Sequence, residues 1–255
     1  MKVVILAGGL GTRISEFTHL IPKPMIDIGG SPIIYHIMNY YASFGYTEFV
    51  IALGYKSQVI KDYFLDFSRS SGDFSLNLRD STIRYHRHDI PDWSISFIET
   101  GADSQTGGRL LRLKDYLDCE PFMLTYGDGI ANVDVKSLVE FHNKHNSIAT
   151  VTAVRPPARF GELLIENDIV TLFKEKPQLE VGYINGGFFV FEQEIFNYLE
   201  NDSTILESGP LESLAKQFQL QAFIHDSFWY CMDTVRDHAH LNSLYRSGGL
   251  NWLTK

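Results

Sequence analysis

The sequence predicts one α/β domain built on a doubly wound, mainly parallel Rossmann-like sheet, with a β-rich second half. Three observations predict it. Short apolar runs alternate with helix-period segments as far as His145, a glycine-rich turn follows the first run, and from Ala149 the helical intervals thin out. At 255 residues the chain is long enough for one full core. It shows no internal repeat and no low-complexity linker, so we read residues 1–255 as a single domain.

The first run, Lys2 to Ala7 (KVVILA), reads as a buried strand. Ser31 to Phe44 opens on Ser-Pro, the pattern of an N-cap with Pro at the first helical position, and sets Ile33, Ile34, Ile37, Met38 and Tyr41 on one face. A second unit pairs a strand, Glu48 to Leu53, with a helix, Ser57 to Phe67, whose Val59, Ile60, Tyr63 and Phe64 keep helical spacing. Beyond a polar stretch, residues 68–93, come strand Ser94 to Glu99, helix Gly108 to Leu117, strand Pro121 to Tyr126 and helix Val135 to His145. ATVTAV, GELLIE, IVTLFKE and INGGFFVF then read as short strands, followed by helices near Glu192 to Asn201 and Leu211 to Gln219.

Composition excludes several function classes. Hydrophobic residues at 44% and charged residues at 21% match a globular domain rather than a disordered or fibrous one. A net charge of -9 argues against nucleic acid or an anionic membrane as partner. No run approaches a membrane span, and the apolar start breaks at Gly8-Gly9 ahead of an arginine, unlike a signal peptide. Cys119 and Cys231 stand in no metal-ligand spacing and read as two buried thiols in a reducing cytoplasm.

The stretch Leu6 to Arg13, LAGGLGTR, follows the first strand. In open parallel sheets ligands bind beyond the carboxyl ends of the strands, and a glycine-rich turn there lets backbone N–H groups approach a phosphate. The loop fits neither GxxxxGK[ST] nor GxGxxG. A tight structural turn is the alternative. Arg13 adds a planar fork of donors, and Lys23 arrives between Pro22 and Pro24, which restrict the backbone around it. Asp128, between Gly127 and Gly129, reads either as a turn residue or as a carboxylate at the sheet's carboxyl edge. Asp233 reads either as the N-cap of a helix starting near Thr234 or as a ligand.

The segment ILAGGLGTRISEFTHLIPKPMIDIGGSPIIYHIM resembles the signature of the sugar-1-phosphate nucleotidyltransferases. The resemblance continues through TGGRLLRLKDYL, LTYGDGIANVD, PPARFGELLI, FKEKP, INGGFFVF and MDTVRD, nearly the whole chain. It implies the nucleotide-diphospho-sugar transferase fold, with a nucleotide-binding half at about 1–130 and a sugar-binding half at about 131–255. The forms GTRISEFT, GADSQTGGRL and YGDGI are most similar to the branch that joins CTP and glucose 1-phosphate. In that chemistry the sugar phosphate attacks the nucleotide α-phosphorus and pyrophosphate leaves, so the protein positions groups and neutralises charge.

The resemblance implies a role for each motif. Leu6, Ala7, Gly8, Gly9, Leu10, Gly11 and Thr12 would wrap the nucleotide, Arg13 would hold the departing pyrophosphate, and Lys23 would bridge the phosphates of both substrates. Asp128 and Asp233 would hold Mg²⁺, a hard cation suited to oxygen ligands, and Arg13, Lys23 and Asp128 form the catalytic set. Ser104, Thr106, Gly107 and Arg109 would read the base, with Arg109 aimed at the O2 or N3 acceptor of cytosine, unless Thr106-Gly107-Gly108 merely opens a helix. On the sugar side stand Glu175, Lys176, Asn185 and Gly186, with Tyr126 and Trp229 as rings that could stack on the hexose or simply pack in the core.

The long stretch Asp66 to Trp93 reads as a lid or an interface, and its His86-Arg87-His88 as a polar loop. The branch implies a homo-oligomer, with a hexamer as the candidate form. Two other readings stay open: a related enzyme with another nucleotide or hexose, and a sugar-nucleotide-binding module without catalysis.

Overall fold

The computed structural model describes residues 1–86, 90–156, 162–166, 169–174 and 182–254. Its centre is an eight-stranded sheet. Val3–Leu6 lies between Glu48–Leu53 and Phe122–Tyr126, parallel to both, and Ser94–Glu99 continues the parallel part beyond Glu48–Leu53. On the other side Phe189–Phe191 pairs antiparallel with both Phe122–Tyr126 and Ala149–Val154, and Leu220–His225 joins Ala149–Val154 in parallel. Strand order therefore reverses between Val3–Leu6 and Phe122–Tyr126. In doubly wound sheets a binding crevice opens beyond the carboxyl ends at that reversal.

Both faces of the sheet are covered, which is why its central strands read as continuous apolar runs. Val3 and Ile5 enter one core with Ile33, Ile37 and Tyr41 of the helix Ile33–Ser43. Val4 and Leu6 enter the other with Leu110, Leu113 and Leu214. The alternation is the period of two that a strand imposes.

Several elements differ from expectation for local reasons. Ser31 is not an N-cap: Ser31–Pro32 pairs with Asp27–Ile28 around Gly29 and Gly30, both at positive φ, and the helix begins after Pro32. The helix expected over Gly108 to Leu117 starts at Thr106 and stops at Leu111, leaving a single 3-10 turn at Lys114–Tyr116. Glu192 to Asn201 forms a 3-10 segment, Gln193–Tyr198, rather than an α-helix, and the next helix spans Pro210–Lys216. INGGFFVF is not one continuous strand. From Ala149↔Phe191 to Ala153↔Asn185 one strand advances four residues while its partner retreats six, so two extra residues are extruded around Gly186, Gly187 and Phe188. Gly187 and Phe188 take φ of 74° and 48° to make that bulge.

Within the polar stretch, Phe74–Asn77 and Thr82–Tyr85 pair as an antiparallel hairpin with every residue exposed. Of His86-Arg87-His88, residues 87 and 88 lie outside the described residues. Among the described residues no helix is long and apolar enough to cross a membrane.

Candidate active site

The glycine loop leaves the sheet beside the Tyr126-Gly127-Asp128 turn: the Ala7 N–H donates to Ala52 O at 3.0 Å and the Gly127 N–H to Leu6 O at 3.1 Å. Two of its glycines are required by what surrounds them. A Cβ on Gly8 would fall 2.1 Å from Arg109 Nη1, and one on Gly11, at φ +63°, would fall 2.7 Å from Thr18 Cγ2. Gly9 meets nothing within 4 Å and leaves the loop backbone open to the cavity. Gly11 ends the loop, its carbonyl accepting from the Thr18 hydroxyl at 3.0 Å and the Ile14 N–H at 3.1 Å. Arg13 follows on a 3-10 turn, Thr12–Ile14.

Four charged side chains meet at the loop's mouth. Lys23 Nζ donates to Asp128 Oδ2 at 2.5 Å and to Asp233 Oδ1 at 2.7 Å, and Arg13 Nη1 donates to Asp233 Oδ2 at 2.8 Å. The cluster is charge-balanced, with Arg13 largely exposed and the other three mostly covered. Burial alone would lower the Lys23 pKa, but the charge of Asp128 and hydrogen bonds to both carboxylates outweigh it and raise it. Burial would likewise raise the Asp233 pKa, but Lys23 and Arg13 prevail and hold it below the usual carboxylate range.

A short strand pair brings the two aspartates together from 105 positions apart. Gly129–Ala131 runs antiparallel to Trp229–Cys231, with Gly129 opposite Cys231, and the Met232 N–H donates to Asp128 O at 3.0 Å. Asp233 is not a helix cap. Thr234 caps the helix Val235–Arg246 through a reciprocal capping box with Asp237, whose carboxylate also takes the Asp233 N–H at 3.1 Å. The Asp233 carboxylate is thereby left to the charged cluster.

These residues suit a divalent cation. Asp128, Asp233 and Cys231 each offer a ligand atom, all within 4.8 Å of one another. Two carboxylates match a hard ion such as Mg²⁺, whereas burial and then Asp128 push the Cys231 thiol up, keeping it protonated and a poor ligand for a hard ion.

The cluster sits in a cavity of about 1250 Å³ at the strand-order reversal. From the sequence-derived set, Leu6, Ala7, Gly8, Gly9, Gly11, Thr12, Arg13, Lys23, Ser104, Thr106, Arg109, Tyr126, Asp128, Asn185, Gly186, Trp229 and Asp233 all line it. Leu10 and Gly107 do not. Leu10 is exposed on the outer side of the loop, and the bare face of Gly107 accommodates Thr204 and Leu206, so this glycine serves helix packing rather than close approach of a base. Glu175 and Lys176 lie outside the described residues.

Arg109 departs from the expectation of a base reader. It is 4% exposed, and its terminal nitrogens donate to the carbonyls of Leu53, Gly101, Gly8 and Ala102 and to the Thr100 hydroxyl. With both terminal nitrogens committed, the guanidinium braces the glycine loop against the Gly101–Ala102 turn. Burial, then nearby Arg112, lowers its pKa. On the sugar side Asn185 Nδ2 donates to Tyr126 OH at 3.1 Å, and Trp229 Nε1 donates to Gly186 O at 2.7 Å, pinning the bulge. Gln105, within the segment 104–109 expected to read the base, also lines the cavity, as do Arg236 and His240, to which sequence reasoning gave no role. Arg236 falls within MDTVRD and His240 in no motif, and both come to the cavity as one face of the capped helix.

An open glycine loop, two convergent cations and a pair of carboxylates suited to a divalent ion, set at a strand-order reversal, are the features of an enzyme that handles nucleotide phosphates. The chain belongs to the nucleotidyl transferase family, whose model matches residues 2–236. It is 45% identical over 255 residues to the glucose-1-phosphate cytidylyltransferase of Salmonella typhi, covering 100% of this chain and 99% of that protein. It is 43% identical over 254 residues to the probable glucose-1-phosphate cytidylyltransferase of Bacillus subtilis, covering 99% of each. Among solved structures, HddC from Yersinia pseudotuberculosis superposes with a TM-score of 0.70 at 25% identity, covering 96% of this chain and 99% of that one.

Proposed function

We propose that this protein transfers a cytidylyl group from CTP to α-D-glucose 1-phosphate, giving CDP-glucose and pyrophosphate. The observation that carries the reading is full-length similarity to two cytidylyltransferases, 45% and 43% identical, with the charged cluster in place at the glycine loop. An oxygen of the glucose 1-phosphate attacks the α-phosphorus of CTP in line, a new P–O bond forms, and the bond to the β-phosphate breaks with its electrons leaving on pyrophosphate. No proton has to move.

In this reading the open backbone around Gly9 meets the triphosphate, Arg13 takes up charge on the leaving group and Lys23 spans the two substrates' phosphates. Asp128 and Asp233 hold Mg²⁺, which when bound neutralises phosphate charge. Ser104 and Thr106 face the nucleotide. Asn185, Gly186, Tyr126 and Trp229 face the hexose, with Glu175 and Lys176 assigned there by the FKEKP motif. The half at about 1–130 thus serves mainly the nucleotide and the half at about 131–255 mainly the sugar, within one domain, with Tyr126 and Asp233 crossing that division.

We further read the protein as a homo-oligomer, supported by the exposed Phe74, Leu76, Leu78, Ile83 and Tyr85 on and around the outlying hairpin. Light scattering tests this. Neither thiol is fully buried as the sequence led us to expect, Cys119 being exposed and Cys231 half-buried, and both are free, which supports a reducing cytoplasm. The activity is tested by pyrophosphate release across CTP, UTP, dTTP, ATP and GTP with several hexose 1-phosphates. CTP with glucose 1-phosphate should give the highest kcat/KM, and equal use of UTP would refute the cytidylyl assignment.

A further inference from the structure

One carboxylate behind the cavity ties its two sides together. Glu207 follows the segment 202–206, which lies along the short helix Thr106–Leu111: the Gln105 N–H donates to Asp202 O at 2.8 Å and the Gly108 N–H to Thr204 O at 3.1 Å. A Cβ on Gly108 would fall 2.3 Å from Asp202 O, so only glycine allows this approach. The segment is thereby fixed against the helix, and Glu207 with it.

Both carboxylate oxygens of Glu207 are taken by hydroxyls from opposite walls. Thr106 Oγ1 donates to Oε2 at 2.6 Å, and Tyr126 OH donates to Oε1 at 2.6 Å. An ionised carboxylate only accepts, so each hydroxyl must spend its single proton on Glu207. The consequences run outward on each side. Thr106 Oγ1 accepts the Leu206 N–H at 2.9 Å and is left with only a lone pair to offer a ligand. Tyr126 OH, its proton committed, accepts from Asn185 Nδ2 at 3.1 Å, while Asn185 Oδ1 accepts from the Gly187 N–H at 2.8 Å. That fixes the amide orientation and leaves Asn185 one N–H for the cavity. Thr106, Tyr126 and Asn185 line the cavity; Glu207 does not.

We propose that Glu207 is a positioning residue that sets the hydrogen-bond polarity of Thr106 on the nucleotide side and of Tyr126 and Asn185 on the sugar side, so that one half-buried carboxylate orders both subsites. The assignment of sides rests on the function proposed above. Glutamine at this position would present an N–H to one of the two hydroxyls and force its proton to turn round.

The test compares wild type with Glu207→Gln, Glu207→Ala, Tyr126→Phe and the double variant Tyr126→Phe/Glu207→Ala, using whichever nucleotide and hexose 1-phosphate the wild type turns over best. Failure of the CTP assignment therefore shows in the wild type alone and leaves this test standing. Glu207→Ala should raise KM for both substrates by about five- to twentyfold with kcat changed less than about threefold. Glu207→Gln should fall between. On the sugar KM the double variant should be no worse than the more severe single variant, because both break one chain of bonds. An unchanged KM for either substrate would overturn the proposal. So would multiplying effects in the double variant, or a uniform loss that tracks the melting temperature.

Discussion

Replacing Lys23 with Met removes the ammonium that joins Asp128 to Asp233 while keeping most of the buried stem. The ligand oxygens of the two carboxylates lie within 4.8 Å. Two unit charges at that separation repel by roughly 3–4 kcal/mol at an effective dielectric of about 20. The side chains of Asp128 and Asp233 are 25% and 17% exposed and Arg13 remains beside Asp233, so solvent and that cation reduce the uncovered repulsion to about 2 kcal/mol. A divalent ion reaching the wild-type free enzyme must displace Lys23 from both carboxylates; in the variant it meets them with only Arg13 beside Asp233. Calorimetric titration without nucleotide should therefore show Mg²⁺ binding Lys23→Met about 30-fold more tightly than wild type. Turnover should move the other way, falling about 10²- to 10³-fold as the charge between the phosphates is lost. A folded variant with wild-type Mg²⁺ affinity would refute the argument that Lys23 and the metal compete for one pair of ligands. Near-normal turnover would return Lys23 to an ordinary ion pair.

Asp128→Asn and Asp233→Asn should each abolish most activity, and the double variant should be little worse than either alone at saturating Mg²⁺, since both act on one ion; multiplying losses would mean separate roles. The charged cluster should give stability a defined pH window. Asp233 is depressed, so its contribution is present above the unfolded carboxylate value of about 3.9 and is lost as pH falls through the folded one. Lys23 is raised, so its contribution is present below about 10.4 and is lost as pH climbs through the higher folded value. Urea unfolding should show both limbs shrinking in Lys23→Met, and an unchanged profile would contradict the assignment. Gly8→Ala places a methyl 2.1 Å from an Arg109 nitrogen held in a cage of carbonyls, and should cost about 2–3 kcal/mol of stability; a loss under about 0.5 kcal/mol would show that the cage yields.

Much of this was legible in the sequence where local chemistry settles local structure. KVVILA and Glu48–Leu53 announce themselves through burial on both faces, Ser94–Glu99 through alternation of polar and half-buried apolar residues at its start, and Val135–His145 through a capped apolar stripe. Leu220–His225 was silent, since its apolar run is only Ala222-Phe223-Ile224 and no residue before His225 is buried; it exists because Ala149–Val154 offers an edge. Gly129–Ala131 and Trp229–Cys231 are too short to signal alone and are strands only because they find each other. The same divide runs through the site. Arg13, Lys23 and Asp128 sit in sequence contexts that constrain the backbone, and Asp233 could be separated from its helix-cap alternative only by seeing Thr234 take the cap. Glu207 lies in STILESGP with no spacing to mark it, because its partners come from two other elements.

The pairing of Gly129 with Cys231 also fixes when in the life of a chain this chemistry can begin. Those residues are 102 positions apart, and closing a loop of that length costs about 4 kcal/mol of chain entropy for a pairing only three residues long. So short a ribbon cannot nucleate the closure; it is drawn shut after the large sheet has formed. On a translating ribosome the glycine loop, Arg13, Lys23 and Asp128 emerge long before Asp233, and the unfinished polypeptide holds one carboxylate of the pair with nothing to face it. Competence arrives late and all at once, when Asp233 comes to face Asp128.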